Sequence, residues 1–247
     1  MNELCKSKKK CLNVGIIGLG TVGTGVVAAL QRDPDLLRKE TGKDVQISVA
    51  SVRNLTKKRP GISLDFHLTD DPVEIVEDSS IDLVLELIGG IDPAKDLIVR
   101  ALENGKHVVT ANKALLASHG REIFDLASTN KCFVGCEGAV AGGIPIIKLI
   151  REGLVANKIS RLEGIINGTC NFILTGMKER QTSFERMLKE AQDKGFAEQD
   201  PTFDVGGIDA GQKLTILATL LFGVPLDFDK VSIEGISQIE VDDVNYA

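Results

Sequence analysis

Short apolar runs alternate with segments of helical periodicity over the first part of the chain. Five runs rich in Val, Ile and Leu predict strands, at residues 14–17, 45–52, 81–88, 107–110 and 132–136. Four segments between them place apolar side chains on one helical face, at residues 22–30, 73–76, 94–103 and 122–128. Strands that are apolar on both faces need helices on both sides, as in a parallel sheet. We therefore expect an α/β fold with a doubly wound parallel sheet over residues 1–138.

The pattern changes after residue 138. A Gly-rich turn leads into a short helical segment that starts at Pro145 and ends at Gly153, the usual order of these two residues in a helix. One strand is predicted at residues 159–166, and three helices follow it, at residues 168–177, 184–193 and 209–222. Because one strand followed by helices cannot form a complete sheet layer, we expect residues 139–247 to be a partial α+β domain, which either borrows strands from a partner or is incomplete because the chain stops early.

Composition narrows the class of partner. The 247 residues are 43% hydrophobic and 26% charged, with a net charge of −6, no Trp and one Tyr, so nucleic-acid binding is disfavoured. The longest apolar stretch, at residues 214–226, is shorter than the roughly 18 residues of a membrane span. The N-terminus lacks the apolar core of a secretion signal, and the five cysteines form no paired C-x-x-C set. We expect a cytoplasmic protein with free thiols and a small-molecule partner.

A glycine motif follows the first predicted strand. Gly18, Gly20 and Gly23 fit G-x-G-x-x-G, with Thr21 and Val22 in the first turn of the next helix. In this position the glycines permit a tight turn, a close approach of the pyrophosphate and close packing of helix on strand. The free N–H groups of the helix then bind the phosphates. The motif predicts a dinucleotide site in a Rossmann domain.

The end of the second strand indicates which coenzyme is preferred. An NAD enzyme usually has an acidic residue there, whereas the 2′-phosphate of NADP favours Arg. Here Arg53 ends the strand and Lys57 follows shortly after, so we expect NADP, with NAD as the alternative. Lys58 and Arg59 are explained equally well as solvated surface cations.

A charged pair stands on an apolar helix near the C-terminus. Asp209 and Lys213 are four residues apart and share a helical face, and Glu198, Asp200 and Asp204 lie just upstream. Such pairs are usually solvated. A lysine held in an apolar cleft beside carboxylates can instead exchange protons near neutral pH. Both interpretations stay open on these residues alone.

Four segments together resemble homoserine dehydrogenase: TANK at residues 110–113, EGAVAGGIP at 137–145, GIINGTCN at 164–171 and DPTFDVGGIDAGQKL at 200–214. The resemblance covers about residues 12 to 247, whereas members of the family continue past the equivalent of Ala247. It implies NAD(P)-dependent interconversion of L-homoserine and L-aspartate 4-semialdehyde, in threonine and methionine biosynthesis. It also implies a homodimer, with the second domain serving substrate binding and dimerisation.

The resemblance also implies roles for single residues. Lys213 matches the catalytic proton donor or acceptor, and Lys113 matches the lysine where coenzyme and substrate meet. Substrate-binding positions match Glu198, Asp209, Asp204 and Thr169. Further coenzyme positions match Ile88, Gly89 and Gly195. A monovalent-cation site, for sodium or potassium, matches Glu137, Val140, Gly142 and Ile144, and we expect this segment to be extended so that alternate carbonyls face one way.

Two other functions compete with this one. A semialdehyde dehydrogenase acting through a cysteine would use Cys136 or Cys170 beside a general base, but none of the three histidines stands in a motif that places it there. Burial of small side chains explains both cysteines better. A truncated NADP-binding fragment without activity is the non-enzymatic alternative.

Overall fold

Six parallel strands form one sheet in the computed structural model, which describes residues 10–225 and 227–247. The strands are β1 (Cys11–Ile17), β2 (Asp44–Ser51), β3 (His67–Thr69), β4 (Leu83–Glu86), β5 (His107–Thr110) and β6 (Val134–Gly135). Their order across the sheet is β3-β2-β1-β4-β5-β6, and every neighbouring pair is parallel. The predicted α/β doubly wound fold is confirmed. The N-terminal residues 1–9, which we searched for a secretion signal, and Leu226 of the apolar stretch lie outside the described residues.

Five helices accompany the sheet: α1 (Thr21–Arg32), α2 (Pro34–Thr41), α3 (Pro72–Glu77), α4 (Ala94–Glu103) and α5 (Lys113–Thr129). Side chains cap several of their first turns. Asp33 accepts from the N–H of Leu36, and Asn112 accepts from that of Leu115. These caps satisfy N–H groups that have no partner inside the helix, so they define where the helices begin.

Both faces of the sheet are buried. Val14 and Ile16 of β1 belong to one apolar cluster, and Ile17 of the same strand belongs to the other. Alternation along the strand sends neighbouring side chains to opposite faces, so one short strand contributes to both clusters. Because the sheet is parallel, the carboxyl ends of all strands meet at one edge. The strand order reverses between β1 and β4, which is where α/β sheets bind ligands.

The contacts divide the chain at Ile146, whereas the sequence pattern placed the boundary at residue 138. The second unit begins at Ile147, inside the short helix α6 (Ile146–Lys148), and a π-helical turn (Leu149–Gly153) follows. Its remaining helices are α7 (Gly168–Arg180), α8 (Phe184–Asp193), α9 (Thr202–Val205), α10 (Ile208–Phe222) and α11 (Val241–Tyr246). An apolar cluster joins α7, α8 and α9 through Ile173, Met177, Met187 and Val205.

The predicted strand at residues 159–166 is wrong. This segment forms neither strand nor helix, and no strand of the described residues pairs with it. Its apolar pattern is that of a strand, but a strand exists only when a neighbour completes its hydrogen bonds. Ile165 is consequently 80% exposed.

In the described parts of the chain, no helix is long and apolar enough to cross a bilayer.

Candidate functional site

The glycine motif forms a tight turn between β1 and α1. Gly18 has a φ of 102° and donates its N–H to the carbonyl of Ser51 at the end of β2, at 3.0 Å. A Cβ on Gly23 would lie 2.1 Å from the carbonyl oxygen of Gly18, so helix and strand approach too closely for any side chain. A Cβ on Gly20 would meet nothing within 4 Å. The turn is therefore tightly packed at Gly23 and has free space at Gly20.

The open side of the turn suits an anion. Gly20 is the N-cap of α1 and supplies no side-chain cap, and no acidic residue stands in the first turn. The first N–H groups of a helix have no partner within it, and the helix dipole adds a partial positive charge. Thr21 and Val22 lie in this first turn. This end of α1 can accordingly bind a phosphate group.

A cavity of about 530 Å³ extends from this turn along the carboxyl edge of the sheet, and we call it the glycine-turn cavity. Six of the predicted coenzyme residues line it: Gly18, Gly20, Arg53, Lys57, Ile88 and Gly89. Thr21, Val22 and Gly23 belong to the adjoining helix. Gly195 lies in the second unit and is not among the lining residues.

The cationic end of the glycine-turn cavity holds one residue more than expected. Arg59 lines it beside Arg53 and Lys57. Its guanidinium donates to the carbonyls of Lys57, at 2.8 Å, and Asn54, at 3.1 Å. The side chain of Asn54 accepts from the N–H groups of Thr56 and Lys57, which turns the loop and keeps its cations together. The run of basic residues 57–59 could have indicated Arg59 as a cavity residue. The sequence alone did not distinguish it from Lys58, which does not line the cavity.

A fully buried carboxylate shapes the loop after β4. Glu86 accepts from the N–H groups of Ile88, at 3.0 Å, and Gly89, at 3.2 Å, through Oε1. Asn112, which caps α5 just before Lys113, donates to the carbonyl of Gly90 at 2.6 Å. Sequence reasoning missed Glu86, although a charged residue at the end of an apolar strand could have indicated it.

In the second unit, partly buried Lys213 pairs with buried Asp209. Lys213 donates to Asp209 Oδ2 at 2.7 Å and to the carbonyl of Ile166 at 2.6 Å. The side chains are 18% and 6% exposed. Asp209 stands in the first turn of α10, where the helix dipole favours a carboxylate. The solvated-pair interpretation of these two residues is therefore wrong.

Lys213, Asp209, Asp204 and Thr169 line one cavity of about 540 Å³, which we call the lysine cavity, together with Asn167, Gly168, Phe172 and Phe196. The hydroxyl of Thr169 lies 2.8 Å from the carbonyl oxygen of Phe196 and 3.2 Å from Asp204 Oδ2. Its one hydrogen serves one of these acceptors at a time. Four predicted residues, spread over more than forty positions of the chain, are thus brought together.

Glu198 and Gly195 are not among the residues lining the lysine cavity. Gly195 follows α8 with a φ of 73°, and Glu198 is exposed. The backbone carbonyl of Glu198 accepts from the side-chain amide of Gln192 at 3.2 Å. Their assignment continues to rest on the resemblance alone.

Neither cysteine of the alternative mechanism is placed as a nucleophile. Burial raises the pKa of the Cys170 thiol, and the neighbouring carboxylates of Asp204 and Asp209 raise it further. A nucleophilic cysteine needs the opposite shift, because the thiolate is the reactive form. Cys136 is 1% exposed. Both environments favour the interpretation of these residues as packed thiols.

The segment with the expected cation ligands is not extended. Glu137–Ala139 forms a 3-10 turn, and positive φ angles follow at Ala141 and Gly143. The expectation that alternate carbonyls of an extended strand face one way is wrong for this segment. Among the described residues, no cluster of three or more His, Cys, Asp or Glu could hold a metal ion. Any cation here would depend on the Glu137 carboxylate and on carbonyl oxygens arranged by turns.

Comparison with known families and structures gives one consistent answer. The homoserine dehydrogenase NAD-binding domain matches residues 18–137, and the homoserine dehydrogenase domain matches residues 145–247. A Pseudomonas aeruginosa homoserine dehydrogenase is 51% identical over 241 residues, covering 96% of this chain and 54% of its own length. The chain therefore spans about half the length of the curated relatives it matches.

Solved structures agree with the sequence matches. A homoserine dehydrogenase from Thiobacillus denitrificans superposes with a TM-score of 0.91 at 50% identity, covering 96% of this chain and 55% of that one. A hyperthermophilic archaeal homoserine dehydrogenase in complex with NADPH gives a TM-score of 0.79 at 26% identity, covering 94% and 76%. Sheet order, glycine turn, lysine cavity and both domain matches thus lead to one conclusion: this chain belongs to the homoserine dehydrogenase family.

Proposed function

We propose that the protein is an NADP-preferring homoserine dehydrogenase, which interconverts L-homoserine and L-aspartate 4-semialdehyde in threonine and methionine biosynthesis. The observation that carries the proposal is the ammonium of Lys213, held by Asp209 and the Ile166 carbonyl in the wall of the lysine cavity. Family membership and the named relatives support it.

Lys213 acts as the general acid and base of this reaction. Reduction of the aldehyde places negative charge on its oxygen, and a cationic donor there stabilises the charge and supplies the proton. In the reverse direction the neutral amine accepts the proton of the homoserine hydroxyl. The carboxylates of Asp204 and Asp209, together with Thr169, would bind the ammonium group of the substrate. The resemblance adds Glu198 as a further proposed substrate ligand.

The coenzyme, when bound, exchanges a hydride with the hydroxyl-bearing carbon of the substrate. The glycine turn and the first turn of α1 would hold its pyrophosphate, and Ile88 and Gly89 would contact it along the sheet edge. Arg53 and Lys57 would bind the 2′-phosphate of NADP. The NADPH bound by the archaeal relative supports this choice, while Lys113 and Gly195 are proposed as coenzyme contacts from the resemblance.

A monovalent cation is the second proposed cofactor. Glu137 would supply a carboxylate, and Val140, Gly142 and Ile144 would supply backbone carbonyls, since hard cations prefer oxygen ligands. The turns at Ala141 and Gly143 let consecutive carbonyls point in different directions, so a short segment can offer several oxygens. Sodium and potassium both fit this donor set.

A homodimer is the proposed assembly. Apolar side chains are exposed along the irregular segment before α7, with Val155 76% and Ile165 80% accessible. Burial of these side chains against a second copy would remove their apolar surface from water. A native mass measurement gives the number of copies directly.

One assay separates the proposed function from its alternatives. L-homoserine should drive NADPH formation from NADP, followed by absorbance at 340 nm. Coenzyme binding without turnover would indicate a binding fragment. NADPH formation from L-aspartate 4-semialdehyde instead of homoserine, lost when the thiols are alkylated, would indicate the cysteine mechanism.

A further inference from the structure

Asn167 occupies a central place in the lysine cavity that no role has yet explained. Its side chain is buried, and its amide nitrogen donates to Asp204 Oδ1 and to Asp209 Oδ2, each at 2.8 Å. Asp209 Oδ2 is also the oxygen that accepts from Lys213. One amide group therefore links two carboxylates, and one of these carboxylates links the amide to the ammonium.

The orientation of the amide is determined by its other end. Asn167 Oδ1 accepts from the N–H of Cys170 at 2.8 Å, as the N-cap of α7. An amide oxygen can only accept and an amide nitrogen can only donate. Because the oxygen serves the helix, the nitrogen must face the carboxylates.

The carboxylates around Asn167 are stabilised by the hydrogen bonds that its side-chain amide donates. The carboxylates of Asp204 and Asp209 accept hydrogen bonds from it, and Asp209 joins it to the ammonium of Lys213. Two carboxylates near one ammonium repel each other, and burial strengthens the repulsion. The two amide hydrogens offset it by giving each carboxylate one hydrogen bond.

We propose that Asn167 is a positioning residue, which holds Asp204 and Asp209 in their places and thereby keeps Asp209 directed at Lys213. This inference rests on the proposed function and deepens it. Ile166, the preceding residue, supplies the second acceptor of Lys213, so residues 166 and 167 orient the ammonium from two sides. Misplacement of a reacting group by about 1 Å can lower a rate by about 100-fold.

Two substitutions separate positioning from helix capping. Asn167→Ser and Asn167→Asp both keep an oxygen that can cap α7, because Ser and Asp are good N-cap residues. Neither can donate to both carboxylates, and Asp adds a third negative charge. A residue that only caps the helix would tolerate both changes, whereas a positioning residue would tolerate neither.

Two readouts are measured on the protein and on both variants. The first is the ¹⁵N-detected ammonium signal of Lys213, assigned by its absence in Lys213→Met, because slow hydrogen exchange requires an ordered ammonium. The second is homoserine oxidation, for which we expect kcat to fall by about 10-fold in Asn167→Ser and about 100-fold in Asn167→Asp, with the KM for NADP within twofold.

Loss of the ammonium signal together with the fall in kcat supports the proposal. Either readout remaining at the parent level in both variants overturns it, and so does failure of both to fold, which would make the amide purely structural. If the parent does not oxidise homoserine, the proposed function fails. The ammonium signal then decides alone whether Asn167 orders Lys213.

Discussion

Thr110 donates its hydroxyl hydrogen to Oε2 of Glu86 at 2.6 Å, which joins the carboxyl ends of the neighbouring strands β5 and β4. The other oxygen of the same carboxylate accepts from the loop that lines the glycine-turn cavity. The hydroxyl of Thr110 also accepts from the N–H of Asn112, the cap of α5. Glu86 thus connects the loop after β4 to the turn that precedes Lys113.

Replacement of Glu86 by Ala should weaken both the fold and coenzyme binding. It leaves the buried hydroxyl of Thr110 and two N–H groups of the exposed loop without their acceptor, and a buried unpaired group costs about 1–3 kcal/mol. We expect the free energy of unfolding in urea to fall by about 3 kcal/mol and the NADPH dissociation constant to rise several-fold. Glu86→Gln keeps the volume and one acceptor oxygen, so its loss should be smaller. An unchanged urea midpoint in Glu86→Ala would show that the network contributes nothing.

Arg53→Asp should shift coenzyme preference from NADP towards NAD. The change removes a partner of the 2′-phosphate, introduces repulsion and provides an acceptor for a ribose hydroxyl. A charged hydrogen bond is worth about 1.5–3 kcal/mol, so the ratio of kcat/KM for the two coenzymes should change by at least about tenfold. Lys58→Asp makes the same change in charge outside the cavity lining and serves as the control. Equal ratios before and after Arg53→Asp would refute the assignment.

Glu137→Ala should reduce the dependence of activity on sodium or potassium. The carboxylate is the only formal charge of the proposed ligand set, and carbonyl oxygens alone bind a hard cation more weakly. Activity is measured against increasing NaCl or KCl at constant ionic strength, with choline chloride as the balance. Glu103→Ala removes an exposed carboxylate from the end of α4 and should leave the salt response unchanged. If choline supports the parent protein as well as sodium does, no such site operates.

Lys213→Met should abolish most turnover while NADPH binding is retained. Methionine keeps the length of the stem but has no charge or proton, and Asp209 keeps its hydrogen bond from Asn167. General acid–base assistance is worth about 10²–10⁴ in rate, and the lost charge should bring the deficit towards the upper end. Lys189→Met, at a lysine 78% exposed on α8, should retain full activity. A kcat for Lys213→Met within about threefold of the parent would transfer the proton role to Lys113.

Cys170→Ala should retain homoserine turnover within about threefold, because the proposed reaction forms no covalent intermediate on this residue. Burial and the nearby carboxylates raise the pKa of the Cys170 thiol, so little thiolate exists near neutral pH. Alkylation of Cys170 by iodoacetamide at pH 8 should therefore be slower than that of glutathione, measured by mass spectrometry. A folded but inactive Cys170→Ala variant would restore the cysteine mechanism.

Much of the sheet could be predicted because its strands are buried on both faces. Such strands need long runs of Val, Ile and Leu, and the alternation of these runs with helices indicates the topology. The bounds of α4 and α8 were predicted as the structure has them, since Gly105 ends one and a strong amphipathic pattern marks the other. Helix α2 was missed because its residues PDLLRKET are mostly polar and none is buried.

The hydrogen bonds that could not be predicted join residues distant in sequence. Asn167 bonds to residues 37 and 42 positions away, and Thr110 reaches a carboxylate 24 positions away. No local pattern contains such separations. The segment at residues 159–166 shows the converse, since its local pattern is that of a strand but its state depends on a neighbour.

Each cavity draws its whole lining from one stretch of the chain. The glycine-turn cavity uses residues 17–93 and the lysine cavity uses residues 167–213. Substitutions can therefore change the lining of one cavity and leave the lining of the other as it is, because no residue lines both. Engineering can follow the same division: a library confined to the first stretch explores coenzyme use while every residue that lines the lysine cavity is kept.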